Sequence, residues 1–172
     1  MALPVLLITG PVGVGKTSVA FEAMELLAER NVAHAFFDLD GLTYVYPKPA
    51  NDRFGEHVAL EALGLLCPRL REQGVAHLIL ARVLWEPESL TLYRRAIPDA
   101  EITVVRLTAP LDVLEERLRR REVGSAIGWD LARARECEER WSRDPVGDVL
   151  IQTAGRDVRT IAQEILDTLR WV

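Results

Sequence analysis

Lysine is scarce in this chain. Of 21 basic residues only Lys16 and Lys48 are lysines, so the placement of any one arginine says little by itself. Cysteine is scarce too: Cys67 and Cys137 stand without metal-ligand spacing, which reads as two reduced thiols with no assigned chemistry. No apolar run approaches the roughly 20 residues of a membrane span. The opening Met1-Ala2-Leu3-Pro4 lacks the charged start of a secretory signal, and a cytoplasmic location is the expectation. An excess of positive charge is also missing. The net charge of −5 argues against nonspecific nucleic-acid binding, which relies on neutralising phosphates with a basic surface, so RNA or DNA would need a local patch. There is no internal repeat, low-complexity tract or interdomain linker, and 172 residues suit one domain over 1–172 with a full core.

What is present is Gly10-Pro11-Val12-Gly13-Val14-Gly15-Lys16-Thr17, directly after the apolar run Leu3 to Ile8. This is the Gly-four-residues-Gly-Lys-Thr pattern of a phosphate-binding loop. Its glycines let backbone N–H groups turn inward, Lys16 reaches the β- and γ-phosphates, and the Thr17 hydroxyl can ligate Mg²⁺. The flanks agree: a buried-strand pattern precedes the loop, and Val19, Ala20, Ala23, Met24 and Leu27 follow at helical spacing. A helix beginning near Lys16 adds its N-terminal amides, Thr17 and Ser18 included, to the anion site. The expectation is an ATP site with Mg²⁺, held by Gly10, Val12, Gly13, Val14, Gly15, Lys16, Thr17 and Ser18.

Apolar runs and helical periods predict strands at 3–9, 33–38, 76–81, 101–107 and 148–153. Helices are predicted at 16–30, 52–73, 88–96, 110–122, 129–141 and 157–171. Strands such as Leu78-Ile79-Leu80 and Ile102-Thr103-Val104-Val105 are apolar on both faces, as in a sheet covered on both sides. The predicted fold is α/β, a doubly wound five-stranded parallel sheet with ligands at the carboxyl ends of its strands. Two stretches break the rhythm, Leu42 to Asp52 and Arg119 to Asp130, and both are candidate covering loops; the second is the candidate arginine-rich lid.

Asp38 and Asp40 sit where the second strand runs out, and alternation along a strand puts both carboxylates on one side, facing the crevice. One can help hold Mg²⁺ while the other orients or deprotonates an acceptor hydroxyl. The preferred assignment is Asp40 as base and Asp38, with Thr17, on the metal side. The third strand ends Leu80-Ala81-Arg82, so the acid expected there in motor and switch ATPases is absent. Arg82 is either a substrate anchor or a rim ion pair, and Trp85 either an acceptor-pocket floor or packing. Arg117, Arg120 and Arg121 fall roughly on one side of a helix end, where at least one phosphate contact is expected and Arg117 and Arg121 are the catalytic candidates. Arg133, Arg140 and Arg143 rank below them. The loop Gln152-Thr153-Ala154-Gly155-Arg156 is positioned to contact a base, with Arg156 beside it. Tyr44, Tyr46, Arg53, Arg82 and Trp85 are the candidate acceptor-pocket residues.

With these features assembled, the chain resembles the small-molecule kinases of the P-loop superfamily over most of its length, in the adenylylsulfate, gluconate and shikimate kinase and chloramphenicol phosphotransferase group. The resemblance implies ATP- and Mg²⁺-dependent phosphorylation of a hydroxyl, an aspartate after the second strand at Asp38 or Asp40, and lid arginines at Arg117, Arg120 and Arg121. Departures bear on the acceptor. Adenylylsulfate kinases carry Asp-Gly-Asp-Asn where this chain has Asp38-Leu39-Asp40-Gly41, although Asn51-Asp52-Arg53-Phe54 is similar to their following Asp-Arg segment. The glycine triplet of shikimate kinases is absent around Arg82, and Asp40-Gly41-Leu42-Thr43 does not reproduce the gluconate kinase pattern. The function expected is transfer of the γ-phosphate to a hydroxyl of a metabolite, nucleoside or antibiotic, by a monomer or a homodimer. The alternatives are a regulatory nucleotide-binding ATPase, or a kinase of polynucleotide ends or proteins. The missing acid after strand three and the lack of an Asn-Lys-X-Asp guanine motif weigh against a switch.

Overall fold

The computed structural model describes residues 2–52, 54–121 and 126–172, with no side-chain description at 121, 126 or 127. Strand β1 (Leu3–Thr9) is the central strand of a five-stranded parallel sheet. It lies between β3 (His77–Ala81) and β4 (Ala100–Thr108), with β2 (His34–Asp38) and β5 (Val149–Gln152) outermost, giving the order β2-β3-β1-β4-β5. Val5 sits opposite both Leu78 and Ile102. The side-chain period of two splits β1 between two cores. Leu3, Val5 and Leu7 pack on one face with Leu60 and Leu63 of α2 (Glu56–Glu72) and Tyr93 of α3 (Leu90–Ala96). Leu6 and Ile8 pack on the other with Val19, Ala23 and Leu27 of α1 (Lys16–Glu29) and Ile161 and Ile165 of α6 (Val158–Leu169). A strand whose side chains meet a helix layer on both faces leaves little room for polar positions, which is why residues 3–8 read as an unbroken apolar run.

The remaining helices, α4 (Leu111–Arg121) and α5 (Ala126–Arg143), lie against each other. Leu114 reaches the core of the α1 and α6 face, whereas Cys137 and Trp141 reach the opposite one. Helix starts follow local chemistry. The buried Asp52 accepts hydrogen bonds from Glu56 N (2.7 Å) and Val58 N (3.2 Å), and Asp157 accepts one from Thr160 N (3.0 Å), each carboxylate satisfying amides that a helix leaves open. Among the described residues no helix is long and apolar enough to cross a membrane.

Three expectations are corrected. The stretch 42–52 does not begin as an open loop, because Leu39–Thr43 winds as a 3₁₀ turn whose start is capped by Asp38 accepting from Asp40 N (3.1 Å). Asp40 therefore lies beyond the strand, which ends at Asp38, and the alternation argument does not apply to it. The stretch 119–130 is largely helix: α4 runs to Arg121 and α5 begins at Ala126, three residues before the predicted start at 129, while the rest of that stretch falls outside the described residues.

The tightest backbone approach is at Gly10, where φ is +146° and a Cβ would stand 2.6 Å from the carbonyl oxygen of Leu107 and 2.8 Å from Cγ1 of Val14. At Gly15 φ is +104°, yet a Cβ would meet open space. Gly10→Ala combines backbone strain with a clash against backbone and is expected to cost about 2–4 kcal/mol. Gly15→Ala carries strain alone, about 1–2 kcal/mol. Urea unfolding of the two variants beside the unaltered protein checks both the size and the order.

Candidate active site

The phosphate loop spans the gap between β1 and α1 at the carboxyl edge of the sheet. Gly15, in the left-handed region at φ 104° and ψ 21°, is the N-cap of α1, and no side chain caps the helix. The first-turn amides of Lys16, Thr17 and Ser18 are thus left for an anion. Lys16 Nζ donates to Gly10 O (3.0 Å) and Pro11 O (3.1 Å). The Lys16 side chain as a whole is only half-buried, but its ammonium is drawn into the loop. Burial pulls its pKa from 10.5 to about 8, against the opposing pull of Asp40, Cys137 and Asp38.

Behind the loop, Val14 is buried, and its carbonyl accepts from Arg117 Nη1 (3.1 Å) and Thr153 Oγ1 (3.3 Å). Arg117 also reaches Thr153 through Nη1 to Oγ1 (3.1 Å) and Nη2 to the carbonyl (3.2 Å). This guanidinium ties the phosphate loop to the exit of β5. Arg120 pairs with Glu116 at 2.5 Å on an exposed helix face and lines neither hollow beside the loop. The Arg121 side chain and Arg53 lie outside the described residues. Arg156 donates to Gln152 O (3.2 Å) and pairs with Glu164.

Two hollows meet at the loop, and Gly13, Gly15 and Ser18 line both. The smaller, about 300 Å³, opens toward Arg117, Thr153, Arg156 and Val158, where the 152–156 loop was expected to meet a base. The larger, about 580 Å³, contains Val12, Lys16, Thr17, Asp40, Tyr44, Arg82 and Trp85 from the sequence reading. A third hollow of about 590 Å³ lies on the outer face of α6 and includes no phosphate-loop residue. Thr17 Oγ1 donates to Asp38 Oδ2 at 2.7 Å, so the hydroxyl and carboxylate expected to share a metal are in contact. Two hard oxygen donors next to a polyphosphate cradle fit Mg²⁺, which takes few protein ligands and keeps water and phosphate oxygens. Among the described residues there is no cluster of three or more His, Cys, Asp or Glu.

Arg82 is 3% exposed. It donates to Leu39 O (3.3 Å) and Phe54 O (2.6 Å), and its Nη1 stands 3.4 Å from Asp40 Oδ1. Arg82 lines the hollow and pairs with Asp40, but as a buried internal tether and not as a rim ion pair. Trp85 is stacked on Phe54 with ring centres 5.0 Å apart. Tyr44 borders the same hollow from a 90% exposed position, whereas Tyr46 points away at 96% exposure and does not line it. Sequence reasoning passed over Phe54, Trp129 and Asp130, and ranked Arg133 low, yet all four line the larger hollow. Trp129, Asp130 and Arg133 already fell on one face of the helix predicted at 129–141, but no local signal showed that this face turns toward the phosphate loop, and Phe54 gave none at all.

No protein-family model matches the chain, and no curated protein matches it either. Solved structures do. The tunicamycin resistance protein of Deinococcus radiodurans is similar at 24% identity and a TM-score of 0.65, covering 97% of this chain and 95% of that one. The APS kinase of Mycobacterium tuberculosis, determined with AMPPNP and APS, is similar at 22% identity and a TM-score of 0.69, with 98% of each chain covered. Shikimate kinase from Acinetobacter baumannii, in complex with shikimate, is similar at 21% identity and a TM-score of 0.62, covering 98% of this chain and 94% of that one. This chain has the fold of the P-loop small-molecule kinases. The carboxyl-edge hollow beside the phosphate loop lies where that fold places its ligands.

The lowered Lys16 pKa has a signed consequence for stability. Unfolded, Lys16 keeps its proton to 10.5; folded, it releases it near 8, so between these values the unfolded chain holds more protons and folding gains as pH rises. In metal- and nucleotide-free buffer, the unfolding free energy of the unaltered protein is expected to rise relative to Lys16→Met from about pH 8 toward pH 10.5. Below pH 8 the difference is expected to be flat. Urea titrations at steps of pH check the slope.

Proposed function

We propose that the chain is an ATP-dependent kinase that transfers the γ-phosphoryl group to a hydroxyl of a small molecule. The observation that carries this reading is that Lys16, Thr17 and Asp40 line one hollow, with Asp38 joined to Thr17 by a hydrogen bond of 2.7 Å. Phosphoryl transfer asks mainly for positioning and charge stabilisation. Loop amides and Lys16 hold the polyphosphate; its oxygens offer the Lys16 ammonium an anionic partner in place of two backbone carbonyls. Thr17 and Asp38 would hold Mg²⁺, which when bound neutralises charge on the β- and γ-phosphates.

Asp40 orients the acceptor hydroxyl and takes its proton as the oxygen–phosphorus bond forms and the bond to the bridging oxygen of ADP breaks. Arg82 keeps that carboxylate aimed, because a buried guanidinium with two carbonyl bonds does not swing. Arg117 acts by bracing the loop, and the smaller hollow beside Thr153 and Arg156 takes the base. The neighbours named APS kinase, gluconokinase and shikimate kinase support the same reaction class.

Lys16→Ala is expected to lower acceptor-stimulated ATP consumption by at least about 10²-fold while the variant stays folded at pH 7, as read by circular dichroism. Asp40→Asn is expected to lower kcat by about 10²–10⁴-fold, the span of a lost general base. Coupled-enzyme assays of ADP release over a panel of alcohols, nucleosides, aminoglycosides and RNA ends provide the measurement. Acceptor-stimulated turnover that survives Lys16→Ala rules the reading out.

A further inference from the structure

The larger hollow is lined by four cations, Lys16, Lys48, Arg82 and Arg133, and by two carboxylates, Asp40 and Asp130. Their donors are spent very differently. Lys16 bonds loop carbonyls, and Arg82 bonds Leu39, Phe54 and Asp40. Lys48 stands exposed at the rim. Arg133 is the exception. Its guanidinium carbon lies 4.4 Å from the ring centre of Trp129, 4.8 Å from that of Phe54 and 5.2 Å from that of Trp85. Its Nε is buried without a hydrogen-bond partner. Among the described residues, no carboxylate or carbonyl makes a hydrogen bond or ion pair with this guanidinium.

Aromatic faces attract a cation but accept nothing from its N–H edges. The rings therefore hold the position of the charge while leaving its directional donors unfilled. The N–H groups that the rings leave unfilled match the paired oxygens of a carboxylate or a phosphate. A neutral hydroxyl would leave both charge and donors poorly matched. Asp130 and Asp40 share the hollow and attract Arg133 at longer range, but Asp40 is already committed to Arg82.

We propose that the acceptor is a hydroxyl compound that also carries an anionic group, a carboxylate or a phosphate ester, received by Arg133 in its cluster of aromatic rings. This rests on the kinase reading above. The phosphate loop is occupied by ATP in that reading, so the anion that meets Arg133 belongs to the second substrate. Arg133 is then a specificity-determining residue.

The test is calorimetric titration of the protein, first saturated with AMPPNP, with matched probes: glycerol against glycerate and glycerol 3-phosphate, and glucose against gluconate and glucose 6-phosphate. At least one anionic member is expected to bind about tenfold or more tightly than its neutral counterpart. Arg133→Gln is expected to reduce that preference to within about threefold, with Arg133→Lys between. Trp129→Leu, which trims a 53% exposed ring, is expected to weaken the same preference and serves if Arg133→Gln does not fold. Whether it is the carboxylate or the phosphate ester that gains separates the two anion types.

Equal binding of neutral and anionic members, no binding of either, or a preference that survives Arg133→Gln overturns the inference. So does a loss in Arg133→Gln confined to AMPPNP affinity, which would assign Arg133 to the transferring phosphate. Failure of AMPPNP itself to bind the unaltered protein would instead overturn the kinase reading, a result distinct from AMPPNP binding without anion preference.

Discussion

A guanidinium buried at the end of a central strand must be hydrogen-bonded and neutralised, because an uncompensated charge in the interior costs several kcal/mol. Arg82 meets that demand with Leu39 O, Phe54 O and Asp40. The partners come from separate pieces of chain: the 3₁₀ turn that follows β2 and the approach to α2. One rigid fork therefore sets the distance between them. It draws Phe54 into place to stack on Trp85 and keeps the Asp40 carboxylate beside the phosphate loop. This side of the hollow is organised around that charge, at a strand end where motor and switch ATPases carry an acid.

The arginines differ by where their donors go. Arg117 spends its own on Val14 and Thr153 and becomes a brace. Arg120 and Arg156 spend theirs on nearby glutamates at or near the surface, pairs worth little to stability. Arg133 spends none on a described acceptor, and its surroundings are aromatic. A residue type that makes up most of the chain's positive charge thus divides into internal braces, surface ion pairs and a cation set among aromatic rings. Position along the sequence does not reveal that division, because it depends on which carbonyls and carboxylates the fold brings within 3 Å or so.

Much of the fold was legible because its signals are local. Apolar runs of strand length, helical periods, and a glycine-lysine-threonine loop between them are each set by neighbours in sequence. The Thr17–Asp38 contact could be expected, since both follow strands that end at one edge of a parallel sheet. The acceptor side was less legible. Asp40 reaches the hollow by a turn capped through Asp38, not by strand alternation, and although Trp129, Asp130 and Arg133 fell within the predicted helix, which hollow their face lines is a tertiary matter. Likewise Arg120 looked equivalent to Arg117 on a helix, and only the tertiary position of Val14 and Thr153 separates them.

The two hollows share the phosphate loop as a common wall, and that wall is constrained from behind. Gly10 stands so close to Leu107 that no side chain fits between them, and the Val14 carbonyl takes donors from two directions. A loop fixed this firmly does not have to be ordered by its ligand, so binding energy is not spent on arranging amides. The element held least economically is the Lys16 ammonium, which is desolvated and bonded only to neutral carbonyls, with its pKa drawn down to about 8 in consequence. A polyanion entering the loop gives that charge the partner the protein withholds, while the Thr153 and Asp40 sides remain in register. In the proposed reading, preorganised amides with one underpaired cation favour a triphosphate by electrostatics, and discrimination among acceptors falls to the aromatic, arginine-lined hollow across the loop.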